Sequence, residues 1–160
     1  MTCLERVEVK LGVSSPPAAV INFVVDGQPV AKGRPRFARV GKGVKAYTPV
    51  KTATYEQQVS WAAKAAMRGS SPLAGPVELY VILYMQIPAS YSKTKRANAI
   101  SGDLRPTGKP DLDNVVKGIK DACSNIVWGD DSQVVRIVAS KHYAARASAT
   151  VIAAPVEGNP

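Results

Sequence analysis

Two cysteines, Cys3 and Cys123, in a chain of 160 residues cannot build a disulfide framework. With a single histidine, His142, they also leave no set of thiolate and imidazole ligands for zinc. Cys123 falls on the apolar side of an expected helix and reads as a small buried hydrophobe. No apolar run is long enough to cross a bilayer, and the first residues, MTCLERVEVKLG, mix acids and bases without an apolar h-region. The expectation is therefore a cytoplasmic chain with no signal peptide and no membrane partner. Walker A and GxGxxG glycine patterns are missing, which removes those routes to nucleotide binding. Negative charge is scarce: 12 Asp and Glu face 21 Lys and Arg, a net charge of +9. Such an excess attracts nucleic acid, anionic membrane or acidic partners. No basic amphipathic helix with bulky apolar anchors is visible, so a membrane surface is the weaker of these.

The patterning is that of one α+β domain: a mixed β-sheet with two main helices packed on it. Residues 1–17 carry no sustained pattern, end in SSPP and read as a loose leader; the domain is expected over 18–156. Residues 20–26 (VINFVVD) read as a buried strand. The following VAKGRPRFARVGKGVKAYTP holds Lys32, Arg34, Arg36, Arg39, Lys42 and Lys45 and no acid, with turn residues Gly33, Pro35, Gly41 and Gly43; it is a basic loop or hairpin. Thr52 or Thr54 can cap a helix running to about Met67, with Tyr55, Val59, Ala62, Ala63 and Ala66 inward. Residues 76–88 (PVELYVILYMQIP) give the strongest strand signal. Residues 89–110 read as a second basic loop, with Lys93, Lys95, Arg96, Arg105 and Lys109. A helix over about 112–124 has the apolar stripe Leu112, Val115, Val116, Ile119, Ala122 and Cys123. A strand at about 133–143 with a hairpin return at 147–154 closes the order. Trp61 and Trp128 read as core or dimer-interface anchors.

Against the basic background, acids gather in KPDLDNVVKGIKDACSNIVWGDDSQV: Asp111, Asp113, Asp130 and Asp131, with Lys117 one turn beyond Asp113. Asp111 lies at the expected helix cap and Asp113 in the first turn, where the helix dipole favours carboxylates. The turn at 129–131 can bring the second pair of acids back toward the first. Clustered acids repel unless a cation sits between them, and hard oxygen ligands completed by waters and phosphate oxygens suit Mg²⁺. Plainer accounts exist for each residue: Asp111 as a cap, Asp113 and Lys117 as a surface ion pair worth about 0.3–0.5 kcal/mol, and Asp130 and Asp131 as a hydrophilic turn. An EF-hand fails, because counting from Asp111 puts Val116 and Ala122 where it needs glycine and glutamate. A phosphatase with an aspartate nucleophile needs a hydrophobic strand before the motif, and RPTGKP is not one.

The set D-x-D-N-x-x-K, a short helix, then W/F-x-D-D-x-Q and an apolar residue resembles the RusA-type Holliday junction resolvases of bacteria and their phages. Here it is carried by Asp111, Asp113, Asn114, Lys117, Trp128, Asp130, Asp131, Gln133 and Val134. GRPRF…YTP looks like the phage-type branch, and the likeness covers about 20–154. The resemblance implies a RusA-like fold, with Asp111, Asp113 and Asp131 as metal-binding carboxylates and Lys117 as a catalytic lysine. By the same resemblance Asp130 is the adjacent acid, either supporting the ligands without touching the metal or serving as an alternate ligand. It implies a homodimer that uses Mg²⁺, with Mn²⁺ as a substitute, to cut two opposed strands of branched DNA, four-way junctions above all, in DNA recombination and repair. Lys32, Arg34, Arg36, Arg39, Lys93, Lys95, Arg96 and Lys109 are then the candidate phosphate contacts. A nuclease for other branched DNA, a non-catalytic basic DNA-binding protein and a metal-dependent phosphotransferase or phosphatase on small phosphates remain as alternatives.

Overall fold

A computed structural model describes residues 20–33 and 36–156, without the side chain of Arg36. The expected leader at 1–17, Cys3 and Arg34 lie outside the described residues.

Four strands form one mixed sheet: β1 (Ile21–Asp26), β4 (Val77–Gln86), β5 (Val134–Ala144) and β6 (Ser148–Pro155). Their order is β1-β6-β4-β5, with β4 and β5 parallel and the other pairs antiparallel. β2 (Arg36–Val40) and β3 (Gly43–Tyr47) form a separate two-stranded ribbon, settling the loop-or-hairpin choice. The expected β5–β6 hairpin is corrected: the two strands are consecutive but β6 pairs on the far side of β4. Strand patterning fixes which face is buried and is silent on which neighbour satisfies the backbone. β5 is consequently a sheet edge.

Helices α1 (Val50–Met67) and α3 (Leu112–Cys123) pack on one face of the sheet. On β4, Val77, Leu79, Val81, Leu83 and Met85 alternate into that core and meet Tyr55, Val59, Ala63, Val115 and Ile119. Period 2 on the strand and period 3.6 on the helices thus point at the same layer. The stripe expected for α3 is the buried one, apart from half-buried Leu112. Ser60 of α1 donates its hydroxyl to the Ala122 carbonyl at 3.0 Å, satisfying one of the last carbonyls of α3. Thr52 does not cap α1, which starts two residues earlier behind Pro49. Its buried Oγ1 instead accepts from the Gly33 amide at 3.1 Å and donates to the Ala31 carbonyl at 3.4 Å.

Residues 89–110 are not all loop: Lys93–Ser101 is helix α2. Ser92 accepts from the Lys95 amide at its start, and Gly102, at φ 88°, ends it in the left-handed region. α2 buries only Ala99, so it lacks the apolar stripe by which a helix is read from sequence. It lies against the other sheet face near Ile82, Tyr84 and His142. Trp61 is 61% exposed on α1, which removes the core from its two expected places, core or dimer interface; Trp128 is fully buried in the core.

Candidate active site

α3 and the turn that follows it supply the acids. Asp111 occupies the N-cap position but makes no side-chain cap bond, and Asp113 lies in the first helical turn. Asp113 and Lys117 are both exposed and form no ion pair with each other; among the described residues the ion pairs are Lys32–Asp121 and Arg136–Glu78. The plain cap and ion-pair accounts of Asp111, Asp113 and Lys117 are therefore not what the side chains do.

After α3 the chain reverses through Asn125, at φ 61°, with the Asn125 amide donating to the Trp128 carbonyl at 2.7 Å. A 3-10 turn over Asp131–Gln133 follows. Gln133 uses its whole amide here. Its Oε1 accepts from the Gly129 and Asp130 amides at 2.8 and 2.9 Å, and its Nε2 donates to the Leu73 and Gly75 carbonyls at 3.0 and 2.9 Å. The turn is thereby fastened to the loop before β4, where the Leu73 amide also donates to the Val127 carbonyl at 2.7 Å. Asp130 caps the turn by accepting from the Ser132 amide and hydroxyl, bonds that hold its carboxyl below the usual carboxylate range. Asp131 is oriented differently: the indole N–H of buried Trp128 donates to its Oδ1 at 3.0 Å.

These elements enclose a 630 Å³ cleft between α3 and β5. Asp113, Lys117, Asp131, Lys120 and Asp121 carry its polar groups; Leu112, Val116, Ile137 and Ala139 form its apolar wall. The expected Asp113, Lys117 and Asp131 thus share one cleft, whereas Asp111 and Asp130 do not line it. Among the described residues no three or more His, Cys, Asp or Glu side chains are grouped to hold a metal ion as they stand. With Asp121 paired to Lys32, the carboxylates of Asp113 and Asp131 at one cleft fit Mg²⁺ chemically, because that ion keeps several waters and draws other oxygens from substrate phosphates.

Three supporting residues were not singled out for these contacts. Lys141 of β5 donates from Nζ to the Gly108 and Pro110 carbonyls at 2.7 and 3.0 Å, pinning the segment that enters Asp111. No local signal marks it, since the bond spans about thirty residues and depends on strand pairing. Trp128 and Gln133 stand in the motif, yet their hydrogen bonds are not readable from spacing. Cys123 is inert by environment: burial pushes its thiol up to about 12, with the Asp131 charge adding to the effect.

None of the described basic candidates lines this cleft. Lys32 pairs with Asp121, and its amide donates to the Asn114 carbonyl at 3.1 Å. Arg39 is exposed on the ribbon. Lys93, Lys95 and Arg96 are exposed on α2, with Lys95 Nζ 4.2 Å from the Tyr91 ring centre and Arg96 at the Ala89 carbonyl. Lys109 is exposed just before the acids.

Comparison with known proteins agrees with the motif. The family profile described as endodeoxyribonuclease RusA matches residues 26–153. A Bacillus subtilis (strain 168) protein described as "Uncharacterized protein YqaN" is 43% identical over 125 residues, covering 77% of this chain and 87% of the relative. The matched span includes the cleft, the ribbon and the sheet apart from β1 before Asp26 and the last two residues of β6, and this chain belongs to the RusA endodeoxyribonuclease family.

Proposed function

We propose that this protein is a Mg²⁺-dependent, structure-selective endodeoxyribonuclease that resolves Holliday junctions by paired symmetric cuts, in the cytoplasm, during DNA recombination and repair. The observation that carries the reading is the meeting of Asp113, Lys117 and Asp131 at one cleft in a strongly basic chain of this family. Asp113 and Asp131 of the cleft would hold the ion, joined by Asp111 from the helix cap and with Asp130 as the alternate ligand, and Mn²⁺ would replace it. Mg²⁺, when bound, supplies charge neutralisation at the scissile phosphate and a lowered pKa for a water. Lys117 offers a compact positive charge to the phosphate or leaving oxygen. Trp128 holds Asp131 in one rotamer, so that its carboxylate need not be ordered at the moment of reaction. A homodimer suits a twofold-symmetric junction. What supports it is the edge strand β5, which exposes Val135, Ile137 and Val138 beside the cleft. Among the described residues no helix is long and apolar enough to cross a membrane.

The test is cleavage of a labelled four-way junction against linear duplex, with Mg²⁺ and with EDTA. Asp113→Asn and Lys117→Ala are each expected to lower cleavage at least about 100-fold while junction binding persists. Equal cutting of other branched DNA would reassign the substrate. Binding without cleavage in every metal would favour a non-catalytic DNA-binding protein.

A further inference from the structure

We propose that the β2–β3 ribbon is a duplex-gripping arm that enters a groove of a DNA arm beside the cleavage site; the inference rests on the nuclease reading for its substrate. An isolated two-stranded ribbon is marginal in water, so one that projects without cover needs a partner. Every described side chain from Phe37 to Tyr47 is exposed, with Phe37 at 72% and Val44 at 68%. The base, in contrast, is fixed. The Gly33 amide is held by buried Thr52, and a Cβ on Gly33 would stand 2.9 Å from Thr52 Oγ1 and 3.0 Å from Pro49 Cγ, so glycine is what lets the two ends of the arm meet.

The register shows what kind of partner fits. Phe37 opposes Ala46 and Arg39 opposes Val44, placing Phe37, Arg39 and Val44 on one face; Lys45 and Tyr47 fall on the other. Both faces therefore mix cations with apolar groups. A ribbon covering a protein core would be apolar on one face and polar on the other. A DNA groove has phosphates on both walls and base edges with thymine methyls at its floor, and the major groove admits a two-stranded ribbon. Lys42 sits in the connecting turn, and no acid occurs between Lys32 and Tyr47. A second copy of this arm would set positive charge against positive charge, in a protein already at +9.

The test uses the full chain as wild type, R39A/K42A/K45A and F37A/V44A. Each is titrated in EDTA against labelled linear duplex and four-way junction across a salt series. The same preparations are assayed for Mg²⁺-dependent cleavage and weighed by light scattering. The triple variant is expected to show a log–log salt slope shallower by about 2–3 on both DNAs, each lost phosphate contact removing about 0.9. F37A/V44A is expected to bind about tenfold more weakly at an unchanged slope. All five positions are exposed, so thermal midpoints should match wild type. Wild-type affinity and slope in both variants would overturn the proposal. A drop in molecular mass would overturn it too, assigning the arm to a second copy. A shallower slope in the triple variant with wild-type binding by F37A/V44A would overturn groove entry. A wild type that cuts no junction, while ribbon substitutions still weaken duplex binding as described, would support the arm and sink the resolvase reading.

Discussion

At the scale of single residues, the site is held by groups that are not themselves acidic. Trp128 fills the core and spends its one polar hydrogen on Asp131, so its two roles can be separated. Trp128→Phe keeps most of the packing and removes the donor. Its expected result is a folded protein whose junction cleavage falls about 10-fold or more, the usual size of an outer-contact loss at a metal site, with a higher Mg²⁺ requirement. Trp128→Ala adds a cavity and should cost about 3–5 kcal/mol in denaturant unfolding. Lys141 acts on Asp111 through the backbone it pins. Lys141→Met is expected to raise the Mg²⁺ concentration for half-maximal cleavage while leaving junction affinity near wild type, and Lys141→Arg to restore part of it. An unchanged Mg²⁺ dependence in Lys141→Met would remove Lys141 from the site's support.

Secondary-structure elements differ in how openly the sequence declares them. α3 was legible because Val115, Val116, Ile119, Ala122 and Cys123 recur on one face while Asp113 and Lys117 take the other. The alternating run of β4 was legible for the same reason at period 2. α2 was not, because KTKRANAIS offers the core a single alanine and is defined by its caps. The return of Asp131 toward Asp113 was legible in the turn at 129–131 and in the motif; what fastens that turn was not, since Gln133 bonds the distant Leu73 and Gly75. The docking of α2 and its following loop also carries a pH dependence. His142 Nδ1 faces the Arg105 guanidinium and Nε2 faces the Ser140 hydroxyl, so Nδ1 must accept. Burial, and then the Arg105 charge, lower the pKa of His142 below its ordinary 6.5. Between the lowered value and the ordinary one, the unfolded chain binds a proton that the folded chain does not. Stability therefore falls as pH drops through about 6.5 and levels off below the folded value. Urea midpoints measured from about pH 7.5 to 5 should show this decline, and His142→Gln should flatten that part of it.

For the molecule as a whole, the sheet order decides what remains available for assembly. Because β6 crosses to the far side of β4, β5 keeps one edge unpaired among the described residues and exposes Val135, Ile137 and Val138. Long apolar edges are templates for pairing, and a charge on them blocks it. Val135→Lys with Val138→Lys, two exposed edge positions outside the cleft lining, is expected to shift the protein toward monomer in light scattering and to uncouple the two cuts on a junction into single nicks. A double variant that retains its mass would place any dimer contact elsewhere.

The clamp made by Gln133 has a further consequence, which concerns inheritance. The turn is fastened through Gln133, the backbone and the buried indole, and none of those bonds requires the carboxylate of Asp113 or the amine of Lys117. A single Asp113→Asn change would thus leave a well-folded protein that still settles on crossovers. In a cell carrying both forms, the inactive copy would shelter junctions from the active one. If the two forms also pair, mixed assemblies would leave crossovers cut on one side only. Loss of one oxygen's charge would then be felt as interference rather than as simple absence.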